Sequence, residues 1–450
     1  MARLVIIGGS DAGISAAIRA RDLAPQEDVT VLVADRFPNY SICGLPFYLS
    51  GEVHDWRTLA HRTTSQLESR GISLRIAHKA TQIDQATKSV TAIIVGGRTR
   101  TFTYDRLIVA TGAVPARPSV EGLELPGVFF LRSMADGFAL HDYVTTREPQ
   151  SAVIVGSGYI GMEMADALTR RGLSVTVLAR SAVLKTVDAS LGQLVRDELA
   201  RNKVKVVQAA PVIAIEKGRR GRLAVRSLER CPIQAELVLV ATGSNPESTL
   251  AARAGASIGI QGAIRVSPGM ETNLPDVWAA GDCVETWHRL LLKNVYLPLG
   301  TTAHKQGRVA GENAIGGHSD FPGSLGTQVV KIFDLAAART GLLDWEALEA
   351  GLSPRTAELE SLDHKAYYPG ATLLWVRLAA DRTTRALLGG QIVGHYSAEV
   401  SKRIDVIASA ISNQMTVDDL LKLDLSYTPP TGSPLDPIQM CAQEWLGSVA

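Results

Sequence analysis

Arg3-Leu4-Val5-Ile6-Ile7-Gly8-Gly9-Ser10-Asp11-Ala12-Gly13 opens the chain as an apolar run that breaks into a glycine-rich turn. An uninterrupted apolar run of this length reads as a strand buried on both faces of a parallel sheet. Ile14 to Leu23 then reads as helix. Strand, tight turn and helix together bring backbone N–H groups and a helix N-terminus to a point where a pyrophosphate can sit. Gly8, Ser10, Ala12 and Gly13 are the expected contacts, with Ser10 standing where the usual pattern has its second glycine. The next strand, Val29 to Val33, runs into Ala34-Asp35-Arg36. Asp35, with Arg36 beside it, is therefore expected at the ribose hydroxyls.

The pattern returns at Ala152-Val153-Ile154-Val155, which leads into Gly156-Ser157-Gly158-Tyr159-Ile160-Gly161 and a helical stretch, Met162 to Arg171, that carries Glu163. The strand after it, Ser174 to Leu178, ends in Ala179-Arg180-Ser181. Arg180 falls about 20 residues past the turn, where the residue facing the ribose is expected. An arginine there pairs with a 2′-phosphate that an acid would repel; the alternative is a solvated surface arginine. NADPH is expected ahead of NADH.

Two more segments recur. Leu107-Ile108-Val109-Ala110-Thr111-Gly112 closes the first unit and Leu237-Val238-Leu239-Val240-Ala241-Thr242-Gly243 the second, followed by Pro115 and Pro246. A third signature, Val277-Trp278-Ala279-Ala280-Gly281-Asp282, reads as a strand ending in Gly-Asp. Asp282 is placed to accept hydrogen bonds from a ribityl hydroxyl, and a helix beyond it would aim its N-terminus at phosphates. Thr302 and Ala303 complete the expected cofactor contacts.

Cys43, in Asn39-Tyr40-Ser41-Ile42-Cys43-Gly44-Leu45-Pro46, has no second cysteine nearby; Cys231, Cys283 and Cys441 are distant in sequence. If reactive, it works as a single thiol, through a mixed disulfide or a sulfenic acid. The other reading is a small buried apolar side chain. Ser15, Arg19 and Arg21 follow the first turn, and the arginines read either as contacts to substrate phosphates or as solvated helix charges.

Composition sets outer limits. With 450 residues, 46% of them apolar and 20% charged, and 40 glycines, the chain reads as two or three α/β domains. A formal net charge of +1 gives no electrostatic reason to expect nucleic acid or an anionic membrane as partner. Four scattered cysteines suggest a reducing compartment. The first residues lack the features of a signal peptide, and no uncharged apolar run approaches the roughly 20 residues of a membrane span. A cytoplasmic protein is expected, and no metal-binding cluster is.

The ordered set of glycine turn, Ala-Thr-Gly, second glycine turn, second Ala-Thr-Gly and Gly-Asp resembles the two-dinucleotide flavoprotein disulfide reductases. The lone cysteine narrows the likeness to the branch holding coenzyme A-disulfide reductases, NADH oxidases and NADH peroxidases. That resemblance implies an α/β fold with two Rossmann-like domains, for FAD and NAD(P), and a C-terminal α+β dimerisation domain. The implied boundaries are 1–115 and 250–325 for the two parts of the FAD domain, 116–249 for the NAD(P)H domain and 326–450 for the dimerisation domain. Val330 to Asp334, His364 to Gly370, Ser401 to Val406 and Leu425 to Pro430 resemble that last domain.

The resemblance also implies a homodimer in which Tyr427 enters the partner's active site, with Tyr367 or Tyr368 assisting, as proton donor to a thiolate. Reducing equivalents from NADPH would reach Cys43 through FAD, and the oxidised flavin and a neighbouring helix N-terminus would stabilise the thiolate and lower the thiol's pKa. The expected substrate is a small disulfide like coenzyme A disulfide, or a related sulfur species, with oxygen or peroxide as the alternative acceptor. Asp11 stands where the oxidases and peroxidases carry histidine. Thr431 and Leu435 replace an aromatic and an often basic residue of the coenzyme A-disulfide reductases.

Overall fold

The computed structural model describes residues 2–94, 96–228 and 231–448. The first apolar run forms the strand Arg3–Ile7 at the centre of a five-stranded parallel sheet, ordered Val277–Ala279, Arg106–Val109, Arg3–Ile7, Asp28–Leu32, Ile72–Arg75. The second forms Ser151–Val155 in an equivalent sheet, ordered Lys205–Val207, Ser174–Leu178, Ser151–Val155, Leu237–Val240, Val128–Phe129. Each central strand is buried almost throughout, as a sheet covered on both faces requires. Helices Asp11–Leu23 and Tyr159–Arg170 follow the two turns. Both start within the glycine motifs, three residues before the apolar helical pattern becomes visible in sequence.

The duplication extends to a feature that no motif announced. Each parallel sheet carries a three-stranded antiparallel meander, His78–Asp84, Ser89–Ile94, Thr99–Thr103 in one unit and Val212–Lys217, Leu223–Ser227, Ile233–Ala235 in the other. The two units clasp each other through the segments after Ala-Thr-Gly. Ala113–Pro115 pairs antiparallel with Ser244–Pro246. Ala116 N donates to Gly243 O at 2.9 Å and Glu247 N to Gly112 O at 2.9 Å, while the Thr242 hydroxyl donates to Ala116 O at 3.0 Å.

The C-terminal third is a five-stranded antiparallel sheet, ordered Gln328–Ile332, Leu335–Gly341, Leu387–His395, Leu373–Asp381, Pro354–Leu362. Helices Val400–Ser412 and Pro437–Gly447 bury Ile404, Ile407, Cys441 and Trp445 against it. Among the described residues no helix is long and apolar enough to cross a membrane.

Ionic contacts fasten this sheet to the second parallel unit. Arg377 pairs with Asp188 (2.9 Å), Asp344 (2.5 Å) and Glu358, and Gln391 also bonds Asp188. Asp166 accepts from Phe333 N at 2.9 Å and pairs with Lys331 and Arg170. Arg377 is held above its ordinary pKa by those three carboxylates. Removing a partner from a largely buried ionic cluster leaves the others uncompensated, at a cost of about 3 kcal/mol. Arg377→Met is therefore expected to lower the calorimetric unfolding midpoint clearly. Arg3→Ala, which removes only an exposed pair with Asp105, should shift it little.

Candidate active site

Two close contacts explain why the glycine turns and the Ala-Thr-Gly segments occur together. Gly8 has φ +119°, and a Cβ there would overlap the Ala110 carbonyl; Gly156 has φ +117° and abuts the Ala241 carbonyl in the same way. Gly13 and Gly161 in turn lie against the carbonyls of Gly8 and Gly156. Each helix thus begins directly over the carboxyl edge of its sheet. Neither N-cap, Ser10 or Gly158, spends a side chain on the first-turn amides. Those N–H groups have no partner inside a helix, so they remain available to an anion.

The Gly-Asp turn is seated by a second helix, Gly300–Asn313, that packs tightly on Asp11–Leu23 because Gly307 and Gly311 lie against the backbone of Ala12 and Ala16. Gln306, fully buried, accepts from Gly281 N at 3.0 Å, and Thr302 and Ala303 are buried on the same helix. The helix expected just beyond Asp282 is absent there. The chain first makes the hairpin Thr286–His288 with Lys293–Val295, and the helix starts only at Gly300. Asp282 itself pairs with Arg132, a residue that no sequence motif marked.

Cys43 sits exposed in the short turn Ile42–Gly44, before the helix Leu45–Ser50. Its segment is tied to the first glycine turn by Asn39 N donating to Gly9 O at 2.7 Å, and to a neighbouring loop by Ser41 N to Leu59 O and His61 N to Asn39 O. Phe37 packs edge-on against Tyr40, Trp56 and Phe138, and Trp56 edge-on against Phe138. Dense protein behind the open sulfur, together with Glu163, Asp11 and Asp282, pushes the thiol above its ordinary range, and Arg132 offsets only part of this. The expectation of a thiol lowered by a helix N-terminus is thus corrected. Burial comes first among the causes, followed by the carboxylates Glu163, Asp11 and Asp282, and the helix that follows has only six residues. Cys283 and Cys441 are buried; Cys231 is exposed.

In the second unit, Tyr159 and Glu163 lie one turn apart on the helix Tyr159–Arg170, whose first turn also holds Ile160 and Gly161, and burial pushes the Tyr159 hydroxyl to about 12. Arg180 is exposed and without a hydrogen bond or ion pair among the described residues; Ser181 is half-buried beside it. The following segment is tied to the glycine turn through Leu184 N to Ser157 O and the Ser157 hydroxyl to Ala182 O. In the first unit, exposed Asp35 accepts from Phe37 N at 2.8 Å, with Arg36 exposed next to it.

A polar cavity of about 720 Å³ opens beside the cysteine segment, lined in part by Asp11, Ser15, Asn39, His61, Arg62, Arg70 and His304. Ser15 is brought to it, bonded to His304 Nδ1 at 2.7 Å. Arg19 and Arg21 are not among its walls. Glu312 holds Arg19 at 2.6 Å, and the carbonyls of Arg70 and Glu27 hold Arg21. The cations that face the cavity are Arg62 and Arg70, whose place in the loop chain gave no sequence signal. Tyr427 neighbours Tyr367 and raises its hydroxyl's pKa, and both are exposed, as is Tyr368. No tyrosine of this group figures among the charges acting on Cys43.

Residues 2–307 match the pyridine nucleotide-disulphide oxidoreductase family, and 327–435 match its dimerisation domain. The chain belongs to that family. It is 35% identical to the CoA-dependent NAD(P)H sulfur oxidoreductase of Pyrococcus furiosus over 98% of both chains. The structure superposes with a TM-score of 0.94 on an NAD-dependent persulfide reductase from A. fulgidus, at 36% identity over 99% of this chain and 83% of that one. It also superposes, at 0.93 and 25% identity over 99% of each chain, on an NADPH-bound water-forming oxidase engineered from the Lactobacillus brevis NADH oxidase.

FAD and NAD(P)H are the cofactors of the family, and the residues present fit them. The uncapped helix starts over both sheet edges, and the close glycine cradle, where a Cβ on Gly281 would stand 2.8 Å from Ala12 Cβ, leave room for phosphates and none for side chains.

Glu163 carries a further consequence. Burial, with help from Asp166, raises its carboxyl to about 7. A pKa raised on folding favours the protonated folded state, and that stabilisation is lost as pH rises from the unfolded value near 4.5 through about 7. Thermal unfolding should show Glu163→Gln stabilising the protein at pH 8, by on the order of 2 kcal/mol, and having little effect at pH 4.

Proposed function

We propose that this protein is an FAD-dependent oxidoreductase that uses NADPH to reduce a coenzyme A-type disulfide or persulfide, with Cys43 as its only redox cysteine. The observation that carries the reading is the placement of Cys43. It stands exposed on a segment bonded to the first glycine turn, and Asn39 of that segment lines a cavity whose walls present Arg62, Arg70 and two histidines. An anionic, phosphate-bearing thiol substrate suits such walls.

FAD, when bound, supplies two-electron transfer between a nicotinamide and sulfur. The chain does the rest. The first-turn amides, Asp35 and Asp282 hold and orient the flavin nucleotide. Ala110, Thr111 and Gly112, with their counterparts Ala241, Thr242 and Gly243, set the floor between the two nucleotide sites. The Cys43 thiolate attacks one sulfur of the substrate, forming a mixed disulfide and releasing the other half as a thiolate. In the homodimer, Tyr427 of the second subunit, steadied by Tyr367 and with Tyr368 nearby, donates a proton to product sulfur.

The NADPH preference rests on Arg180. It is exposed and unpaired, on a strand end with no acid. The engineered NADPH oxidase carries five substitutions relative to the NADH oxidase, three of which put Ala-Arg-Ser in place of Asp-Ala-Met, and this chain reads Ala179-Arg180-Ser181.

Cys43→Ser is expected to keep FAD and still accept hydride from NADPH, as followed by bleaching of flavin absorbance. Disulfide and persulfide turnover should fall to background, since a serine hydroxyl forms no mixed disulfide. Full turnover in this variant would end the single-cysteine reading. For the cofactor, Arg180→Glu is expected to cut the NADPH/NADH ratio of kcat/KM by roughly ten- to a hundredfold, the size of one lost charge-assisted hydrogen bond. Equal kcat/KM for both cofactors in the unsubstituted enzyme would remove the phosphate role of Arg180.

A further inference from the structure

Asp11 is the first residue of the helix Asp11–Leu23. An acid in a first helical turn ordinarily complements the helix dipole and faces water. This one lines the cavity, together with Asn39 of the cysteine segment, and its charge also bears on the Cys43 thiol. Its carboxyl makes no hydrogen bond or ion pair among the described residues. On one side it is closed in by the start of the helix Gly300–Asn313, where a Cβ on Gly300 would come 3.3 Å from Asp11 Oδ2.

The ionisable groups facing it come from three directions: His61 from the loop that pairs with Asn39, His304 from the packed helix, and Asp282 from the Gly-Asp turn. Arg62 and Arg70 share the cavity wall. The two histidines favour the carboxylate, but burial and Asp282 outweigh them and hold the proton on Asp11 above the ordinary range. An unpartnered carboxyl in a cavity wall, with its pKa raised, has the equipment of a general acid.

We propose that Asp11 is the acid that protonates the thiolate released on the cavity side when Cys43 attacks its substrate. The proposal rests on the disulfide-reductase reading. In the step, the reduced Cys43 thiolate attacks R–S–S–R′, the S–S bond breaks, and Cys43–S–S–R forms. R′–S⁻ takes the Asp11 proton and leaves as R′–SH. The electron pair supplied by NADPH then cleaves the mixed disulfide, restoring the Cys43 thiolate and releasing R–S⁻, the half that falls to Tyr427. Asp11 regains a proton from cavity water. One disulfide, one NADPH and one proton give two thiols and NADP⁺.

The test compares FAD-loaded wild-type, Asp11→Asn and Asp11→Glu enzymes on two disulfides. Coenzyme A disulfide releases an alkyl thiolate that needs a proton, whereas 5,5′-dithiobis(2-nitrobenzoate) releases an anion stable without one. Asp11→Asn is expected to lower kcat for coenzyme A disulfide about 100-fold, with a deficit at least about tenfold smaller on the aromatic disulfide. It should also flatten the alkaline limb of the kcat/KM profile, and Asp11→Glu should restore part of both. Equal losses on the two disulfides, or no loss on either, would overturn the role of Asp11. If the wild-type enzyme turns over neither disulfide, its disulfide-reductase activity falls and takes this role with it, whereas persulfide turnover would still be open to test.

Discussion

The contact of each glycine turn with the carbonyl of a neighbouring strand is the constraint on which the rest of the molecule depends. Gly8 against Ala110 and Gly156 against Ala241 leave no space for a side chain, and the positive φ at both positions suits only glycine. The contact brings each helix start down onto its sheet edge. From the first turn the Asn39–Gly9 bond then hangs the cysteine segment, and from the strand ends beyond Ala110 and Ala241 the two units clasp. The glycine turns, the cysteine segment and the domain geometry thus share one origin.

Electrostatics around the sulfur run against simple expectation. Glu163, Asp11 and Asp282 all disfavour the Cys43 thiolate, and Arg132 is committed to Asp282. Within the chain itself, burial and these carboxylates together hold the thiol's pKa up. The same carboxylates raise one another: Asp282 acts on Asp11, and Asp166 on Glu163. Paired acids whose environments push protons onto one member are a recurrent arrangement where proton transfer accompanies chemistry.

Much of this was legible from residue order. Strand centres at Val5 and Val153, both Ala-Thr-Gly strands, the Gly-Asp turn and the separate C-terminal sheet follow from apolar runs broken by glycine, because local sterics dictate those turns whatever surrounds them. Boundaries were less legible. Both nucleotide-binding helices begin inside their glycine motifs, where the apolar periodicity that reveals a helix has not yet started. The helix expected after Asp282 begins instead at Gly300, because an intervening hairpin carries no strong apolar alternation.

Sequence by itself determined the duplicated α/β framework, the isolation of Cys43 and the absence of an acid at the Arg180 strand end, since each is a matter of residue type at short spacing. Only the tertiary structure decided which charges share a space. Arg19 and Arg21, near the turn in sequence, are consumed by Glu312 and backbone carbonyls, while Arg62 and Arg70, marked by no motif, face the cavity with Asp11. The physical reason is range. Backbone sterics and hydrophobic periodicity act over a few residues, whereas charge pairing and burial act across space between segments that the chain order keeps tens to hundreds of residues apart.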